Sequence, residues 1–144
     1  MRQISLIVLS ALLAMPVYAK HKSAPTKLAL ANVALTTDAL KSADVILKTR
    51  ALLTLGQSRC GPNAALSDNN LKLITVGSDA AAKAISADQF SALDSAAQAS
   101  VGTTAKGEIF CLSVASNKKG MLNSILISAK NLGVTGDVLN PLTP

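Results

Sequence analysis

Apolar residues recur at helical spacing in the stretch that follows Thr37. They stand three or four positions apart, at Leu40, Ala43, Leu47 and Ala51. This spacing predicts an amphipathic helix over 38–55, with Thr37 or Asp38 as its N-cap and Gly56 at its end. The preceding segment, 27–35, is largely apolar and fits a strand as well as a helix.

Two further helices are predicted from end signals and spacing together. Ser86 and Gln89 stand in the order of a capping box, and apolar residues follow at helical spacing up to Gly102. The last helix has the clearest apolar stripe in the chain, which consists of Met121, Leu122, Ile125, Leu126, Ala129 and Leu132. Gly133 is expected at its C′ position, with Val134 as the apolar C″ residue.

Two segments are predicted as strands. Residues 71–76 put apolar side chains on both faces of an extended chain, which favours an inner strand. Residues 108–114 are predicted as a second strand, 117–120 as a turn, and 138–139 as a third, short strand. The expected fold class is therefore α+β: a small single domain of about three helices packed on a short two- to three-stranded sheet, with one disulfide.

The first nineteen residues have the pattern of a cleaved secretory signal: Met-Arg-Gln, an apolar run and a small-residue exit ending at Ala19. The run is shorter than the roughly 20 residues that span a bilayer, so no transmembrane anchor is expected. The predicted division is a signal peptide over 1–19, a basic arm and entry segment over 20–36, the α+β domain over 37–140 and a tail over 141–144. A periplasmic or secreted protein is expected.

Cys60 and Cys111 are the only cysteines in the chain. In an oxidising compartment, two cysteines in one domain are interpreted first as a disulfide. A reactive thiol or a metal site would need a histidine or more cysteines nearby, and the sequence offers neither. We therefore predict a bridge that closes a loop of about 50 residues.

Little in the chain favours catalysis. His21 is the only histidine, and it lies on the basic arm, which excludes Ser-His-Asp and Cys-His catalysis and nearly all zinc enzyme designs. Most acidic residues stand at predicted helix starts or in turns, where capping is the expected role. We expect no enzyme, no cofactor, and no catalytic or metal-binding residues. The alternative is a small hydrolase using Asp or Ser residues, with Asp88, Asp94 and Glu108 as the carboxyls to test.

The net charge of +6 makes basic residues candidates for partner binding. Five lysines in two groups are the candidates: Lys20, Lys22 and Lys27 on the arm, and Lys118 and Lys119 in the predicted turn. They favour a protein partner or an anionic envelope component. Nucleic acid is not expected, because with two Phe, one Tyr and no Trp the chain has almost no platforms for base stacking.

The sequences Lys-Gly-Glu-Ile-Phe-Cys-Leu-Ser at 106–113 and Ile-Ser-Ala-Lys-Asn-Leu-Gly-Val-Thr-Gly-Asp-Val at 127–138 resemble the tail of a BON domain. BON domains are small bacterial envelope domains whose tail runs from a Gly into a strand, then a helix, then a Gly-Val-x-x-Val strand. The resemblance implies contact with phospholipid or another envelope component and carries over no functional residues. The chain departs from the pattern by its cysteine pair and by the helical stretch predicted at 78–101.

The expected function is that of a non-enzymatic periplasmic or secreted binding protein that acts on an envelope or protein partner. An inhibitor or immunity-type protein against a secreted enzyme is the first alternative and would bind tightly, one to one. The hydrolase is the second alternative, and it requires convergent carboxyls in a pocket.

Overall fold

The computed structural model of the protein describes residues 27–104 and 107–144, and the side chains of 36–102 and 107–144. These residues form five α-helices and two short 3-10 helices, with no strand among them. The α-helices are α1 (Lys27–Arg59), α2 (Asp68–Ala84), α3 (Ala87–Thr104), α4 (Gly107–Asn131) and α5 (Gly136–Leu139), and the 3-10 helices are Gly61–Ala64 and Asn140–Leu142. The predicted α+β class is therefore wrong, because the described part of the chain is all-α.

Helix α1 lies at the centre of the bundle. It packs against α2, α3 and α4, and α2 also packs against α4, whereas α3 contacts α1 far more than it contacts α2. The largest fully buried side chains are Ile46, Leu47, Leu53, Leu73, Leu122, Ile125, Leu139 and Val114. All of them are aliphatic, so burial of Leu, Ile and Val surface supplies the hydrophobic stabilisation of the bundle.

Two glycines allow α4 to approach its neighbours closely. A Cβ placed on Gly56 of α1 would lie 2.6 Å from Val114 Cγ1, and one placed on Gly77 of α2 would lie 2.8 Å from Ile125 Cγ2. Real Cβ atoms essentially never make contacts as short as these two. Gly56 was predicted to end its helix, but it lies inside α1, where the missing side chain sets the distance between the helices.

Residues 71–76, predicted as an inner strand, lie in α2. The helix begins after Ser67, whose Oγ accepts a hydrogen bond from the Asn70 N–H at 3.3 Å. Its buried residues recur at helical spacing and are Leu73, Ile74, Gly77 and Ala81. A six-residue run with apolar positions on both sides fits a strand or a buried helix equally well, and here the cap and the continuation of the pattern favour the helix.

Residues 108–114, predicted as a strand, and 117–120, predicted as a turn, belong to the single helix α4. Phe110 and Val114 are buried four residues apart, and the same face continues through the stripe predicted for the last helix. Because both sides of 117–120 pack into the core on this face, packing overrides the weak helix propensity of Asn and Gly. Residues 138–139, predicted as a third strand, lie in α5.

Other local predictions are confirmed. The helix predicted over 38–55 is present within α1, but α1 begins at Lys27, so the N-cap predicted at Thr37 or Asp38 is wrong. Gly133 has a φ of +89° and its N–H donates to the Lys130 carbonyl, while the Val134 N–H donates to the Ala129 carbonyl at 3.0 Å. These two hydrogen bonds form the Schellman motif expected at the end of α4.

The structure describes the C-terminal end of the chain but not residues 1–26. The predicted signal peptide and residues 20–26 of the basic arm lie outside the described residues. Residues 27–36, predicted as an entry segment, belong to α1. The predicted tail includes part of the last 3-10 helix, in which the side chain of Leu142 is buried.

The capping box predicted at the start of α3 is confirmed. The Gln89 N–H donates to Ser86 Oγ at 3.3 Å, and the Ser86 N–H donates to Gln89 Oε1 at 3.1 Å. Each side chain therefore satisfies a backbone N–H that the helix itself leaves without an acceptor.

Replacing Ser86 by Ala is expected to lower the free energy of unfolding by about 1 kcal/mol, because the Gln89 N–H loses its acceptor. Urea unfolding followed by circular dichroism measures the change. Ser91→Ala, at an exposed position of the same helix, is the matched control and should change stability by at most about 0.5 kcal/mol. Equal stability of Ser86→Ala and the wild type would contradict a stabilising cap.

Candidate functional site

A disulfide joins the end of α1 to the start of α4. Cys60 follows the last residue of α1 and Cys111 lies in the second turn of α4, with their Cα atoms 5.2 Å apart. This separation is within the usual range for bridged cysteines, and the predicted pairing is confirmed. Gly61 and Gly107 flank the bridge with φ values of +64° and +77°, a backbone region that favours glycine.

Two large apolar side chains project from α4 beside this bridge. The side chain of Ile109 is 82% exposed and that of Leu112 is 70% exposed, the highest values among the exposed large hydrophobic residues of the described chain. They lie one helical turn apart on the same side of α4. We call the surface formed by Ile109 and Leu112 the apolar patch. Single exposed apolar residues are ordinary, whereas two neighbouring ones with this exposure are a candidate contact surface.

A shallow groove continues the apolar patch toward the bundle. Its walls come from α1, α3 and α4, and its lining residues are Lys48, Leu52, Ser100, Val101, Ile109, Phe110 and Ser113. Phe110 and Val101 also belong to a small buried cluster around the disulfide. The patch is therefore anchored on side chains that are held by the core and by the bridge.

The sequence signal for this patch lies in the phase of α4. Phe110 and Val114 face the core, so Ile109 and Leu112 must face outward on a helix of 3.6 residues per turn. Predicting 108–114 as a strand hid the patch, because a strand would put Ile109 on the same face as Cys111. The apolar positions from Phe110 to Ala129 keep one helical phase, and that continuity was the available signal.

The five lysines predicted as partner-binding residues do not form one described site. Lys20 and Lys22 lie outside the described residues, and Lys27 is the first residue of α1. Lys118 is half-buried, and its Nζ donates to the Ala65 carbonyl at 3.0 Å, which ties α4 to the segment after the first 3-10 helix. Lys119 is exposed on α4.

The basic excess of the chain lies mostly outside the residues whose side chains are described. All eight acidic residues lie among the described side chains, together with nine of the 14 basic ones. The other five basic residues are Arg2, Lys20, Lys22, Lys27 and Lys106. Nine basic and eight acidic residues leave the described side chains with a formal net charge of +1.

The carboxyls named for a hydrolase occupy separate places. Asp94 of α3 forms an ion pair with Arg50 of α1 and accepts a hydrogen bond from Gln98 Nε2 at 3.1 Å. Arg50 also donates to Ser78 Oγ of α2 at 3.3 Å, so this network holds three helices together. Asp88 and Glu108 stand in the first turns of α3 and α4. Acidic side chains there stabilise the helix through a favourable interaction with its dipole.

Among the described residues, metal-ligand clusters and membrane-spanning helices are both absent. No set of three His, Cys, Asp or Glu side chains comes together there as possible metal ligands. Among the same residues, no helix combines the length and the apolarity needed to cross a membrane. His21, the only histidine, lies outside the described part of the chain.

The chain was compared with protein-family models, with curated proteins and with solved structures, and none of the three comparisons found a match.

Proposed function

We propose that the protein is a non-enzymatic periplasmic or secreted binding protein that holds an apolar face of a protein partner against the apolar patch. The observation that carries the proposal is the exposure of Ile109 and Leu112 beside an apolar groove, at an end of the bundle fixed by a disulfide. Burial of two such side chains contributes about 1.5–3 kcal/mol each, which is a usual size for the central contacts of an interface.

The charges of the described residues favour a protein over an anionic lipid surface. The described side chains are nearly neutral in sum, and Lys118 is already engaged with the Ala65 carbonyl. An anionic membrane would be attracted by clustered basic residues. Near the patch, Lys48 lines the groove, and Arg59 lines a pocket together with the acidic Glu108 and with Leu112. An apolar contact needs no such cluster.

The disulfide supports both the proposed periplasmic or secreted location and the proposed use of the apolar patch. Bridges between cysteines persist in the periplasm and outside the cell and are rare in the cytosol. Cys111 lies between the two patch residues in sequence, so the bridge holds the first turns of α4 in place. A patch whose backbone is already held by the bridge loses little backbone entropy when a partner binds.

Leu112→Lys is expected to weaken partner binding at least tenfold, because it places a charge at the centre of an apolar contact. The wild-type protein, residues 20–144 with its disulfide intact, is immobilised and offered a detergent-solubilised envelope extract. Mass spectrometry identifies a stoichiometric protein partner, which is either another protein or this chain itself. The purified partner is then titrated against wild type and variant.

Leu71→Lys is the matched control, because Leu71 is 40% exposed on α2, a helix that contributes no residue to the patch or to the groove beside it. It should bind the partner as tightly as the wild type. Equal loss of binding in both variants would contradict the patch as the contact surface. Retention of anionic lipid alone, lost at high salt, would contradict a protein partner.

A further inference from the structure

The apolar patch lies on a part of α4 that has few attachments apart from the disulfide. Residues 107–113 form the first two turns of this helix, and the structure describes all of them. We call them the first turns of α4. Among these seven residues Phe110 is the only buried one, Cys111 is half-buried, and the other five are exposed. One buried ring and the bridge therefore hold these turns against the bundle.

The buried residues of the bundle fall into two separate groups. The larger group surrounds Ile46 and Ile125, joins α1, α2 and α4, and includes no residue of the first turns of α4. The smaller group packs against both cysteines and consists of Ala64, Val101, Phe110 and Val114. Loss of the bridge therefore acts first on the smaller group, while the larger group keeps α4 attached from Leu122 onward.

Two contacts define where a release of α4 would stop. Val114 fills the space that the missing side chain of Gly56 leaves on α1. One turn later, Lys118 Nζ donates to the Ala65 carbonyl at 3.0 Å. Neither contact depends on the bridge. The first turns of α4 are therefore an end segment that can open while the rest of the helix stays packed, as helix ends open at a lower free energy than a core does.

The bridge itself is open to attack by a thiol. Cys60 and Cys111 are both half-buried, and both line a cleft at the protein surface beside Gly107 and Leu112. In thiol–disulfide exchange a thiolate must reach one of the two sulfur atoms, so access decides whether a folded protein is reduced. Exposed bridges are the ones that serve as labile or regulatory bonds, whereas structural bridges resist reduction.

On these grounds we propose that the Cys60–Cys111 bridge is a redox switch for the apolar patch: a dithiol reductant opens the bridge in the folded protein, releases the first turns of α4 and thereby weakens partner binding. The proposal rests on the proposed function, of which it gives the regulation. Ile109 and Leu112 stand on the two sides of Cys111 in the sequence, so their positions depend on turns that the bridge holds. A partner of the reduced protein would have to order these turns again, and that loss of entropy lowers its affinity.

The reaction balances with the dithiol as its only co-reactant. One thiolate of the dithiol attacks the Sγ atom of either cysteine, the S–S bond breaks, and the other Sγ atom leaves as a thiolate and takes up a proton. The second thiolate of the dithiol then attacks the mixed disulfide and frees the remaining cysteine as a thiol. Two electrons and two protons pass to the protein, and the dithiol becomes a disulfide.

Dithiothreitol added to residues 20–144 without denaturant tests the access to the bridge. Alkylation of free cysteines at successive times, followed by mass spectrometry, gives the rate of reduction. Attack through the cleft needs no unfolding, so Ser86→Ala, which only loses the cap of α3, should be reduced at the wild-type rate. If the bridge were reached only after global unfolding, the variant would be reduced about fivefold faster, and that result would overturn the switch.

Hydrogen exchange tests whether the first turns of α4 are released. The N–H of each helical residue donates to the carbonyl four residues earlier, so the amides of 111–117 report on the carbonyls of 107–113. After about ten seconds of labelling, these amides should be largely exchanged in the reduced protein and protected in the oxidised protein. The amides of 122–129 should stay protected in both, because they belong to the part of α4 packed in the larger group. Equal protection of 111–117 in the two forms overturns the proposal.

Titration of the captured partner tests the effect on binding. The reduced protein should bind the partner at least tenfold more weakly than the oxidised protein. The variant with both Cys60→Ala and Cys111→Ala is the matched control, because it has no bridge with or without the reductant. It should match the reduced protein in exchange and in binding. If dithiothreitol weakens its binding further to a similar extent, the reductant acts on the partner, and the switch is overturned.

The outcomes separate the two proposals. Faster exchange of 111–117 on reduction, with binding unchanged, overturns the switch and leaves the proposed function in place. Faster exchange together with loss of binding, both on reduction and in Leu112→Lys of the oxidised protein, supports both. An oxidised protein that captures no partner overturns the proposed function, and the switch falls with it.

Discussion

Removal of the disulfide, by Cys60→Ala together with Cys111→Ala, is expected to lower the free energy of unfolding by about 2–5 kcal/mol. The bridge joins residues 51 positions apart, and closing a loop of this length in the unfolded chain is worth about 4 kcal/mol in the chain-entropy model. Replacing both cysteines avoids a free thiol that could pair between molecules. Urea unfolding followed by circular dichroism measures the loss.

The wild type treated with a thiol reductant is the matched comparison for the double variant. Both should unfold at a similar and lower urea concentration than the oxidised wild type. Both should remain folded in the absence of urea, because the aliphatic core around Ile46 and Ile125 does not depend on the bridge. The prediction is wrong if oxidised and reduced proteins unfold at the same urea concentration.

Gly77→Val is expected to destabilise the protein by about 2–4 kcal/mol, an effect of overpacking in a filled core. The new Cβ would lie 2.8 Å from Ile125 Cγ2 and 3.5 Å from Ile46 Cγ2, so it would meet α4 and α1 at once. Both neighbours are β-branched and are held by the core, so neither can turn away cheaply. Thermal and urea unfolding measure the change.

Gly120→Val is the control with the same chemical change. It has open space around the new side chain, and Val has a slightly better helix propensity than Gly. It should change stability by less than about 0.5 kcal/mol. Similar losses for the two variants would contradict the contact with Ile125 as the cause of the effect at Gly77.

Features that depend on a few neighbouring residues could be predicted from the sequence. The reciprocal hydrogen bonds of Ser86 and Gln89 and the positive φ of Gly133 are fixed by local backbone geometry. The pairing of Cys60 with Cys111 followed from there being only two cysteines. None of these predictions required knowledge of which helices pack together.

The strands were predicted wrongly because short apolar runs are ambiguous. Residues 71–76 put apolar side chains on both faces of an extended chain, but the burial of Gly77 and Ala81 continues the helical phase beyond them. In α4, the polar residues 117–120 resemble a turn. The prediction therefore divided one helix of 25 residues into a strand and a helix. Only packing of both halves against the same core keeps that helix continuous.

The apolar patch could not be predicted while its segment was assigned as a strand, because exposure depends on which face is buried. The lysines had been favoured because charge can be counted in a sequence, whereas the accessible surface of Ile109 cannot. Lys118 shows the difference, since its charge is visible in the sequence and its hydrogen bond to Ala65 is not. The proposed contact surface lies where the helical phase of α4 turns apolar residues outward.

The position of the disulfide also makes the molecule a covalent ring with two arms. The ring runs from Cys60 to Cys111 and contains the whole of α2 and α3, while α1 and the rest of α4 extend from it. A protease that cuts once between α2 and α3 therefore opens the ring without releasing a fragment. The protein would keep its mass until its cysteines are reduced, and in a protease-rich surrounding a single nick in this connection would not separate the helices of the core.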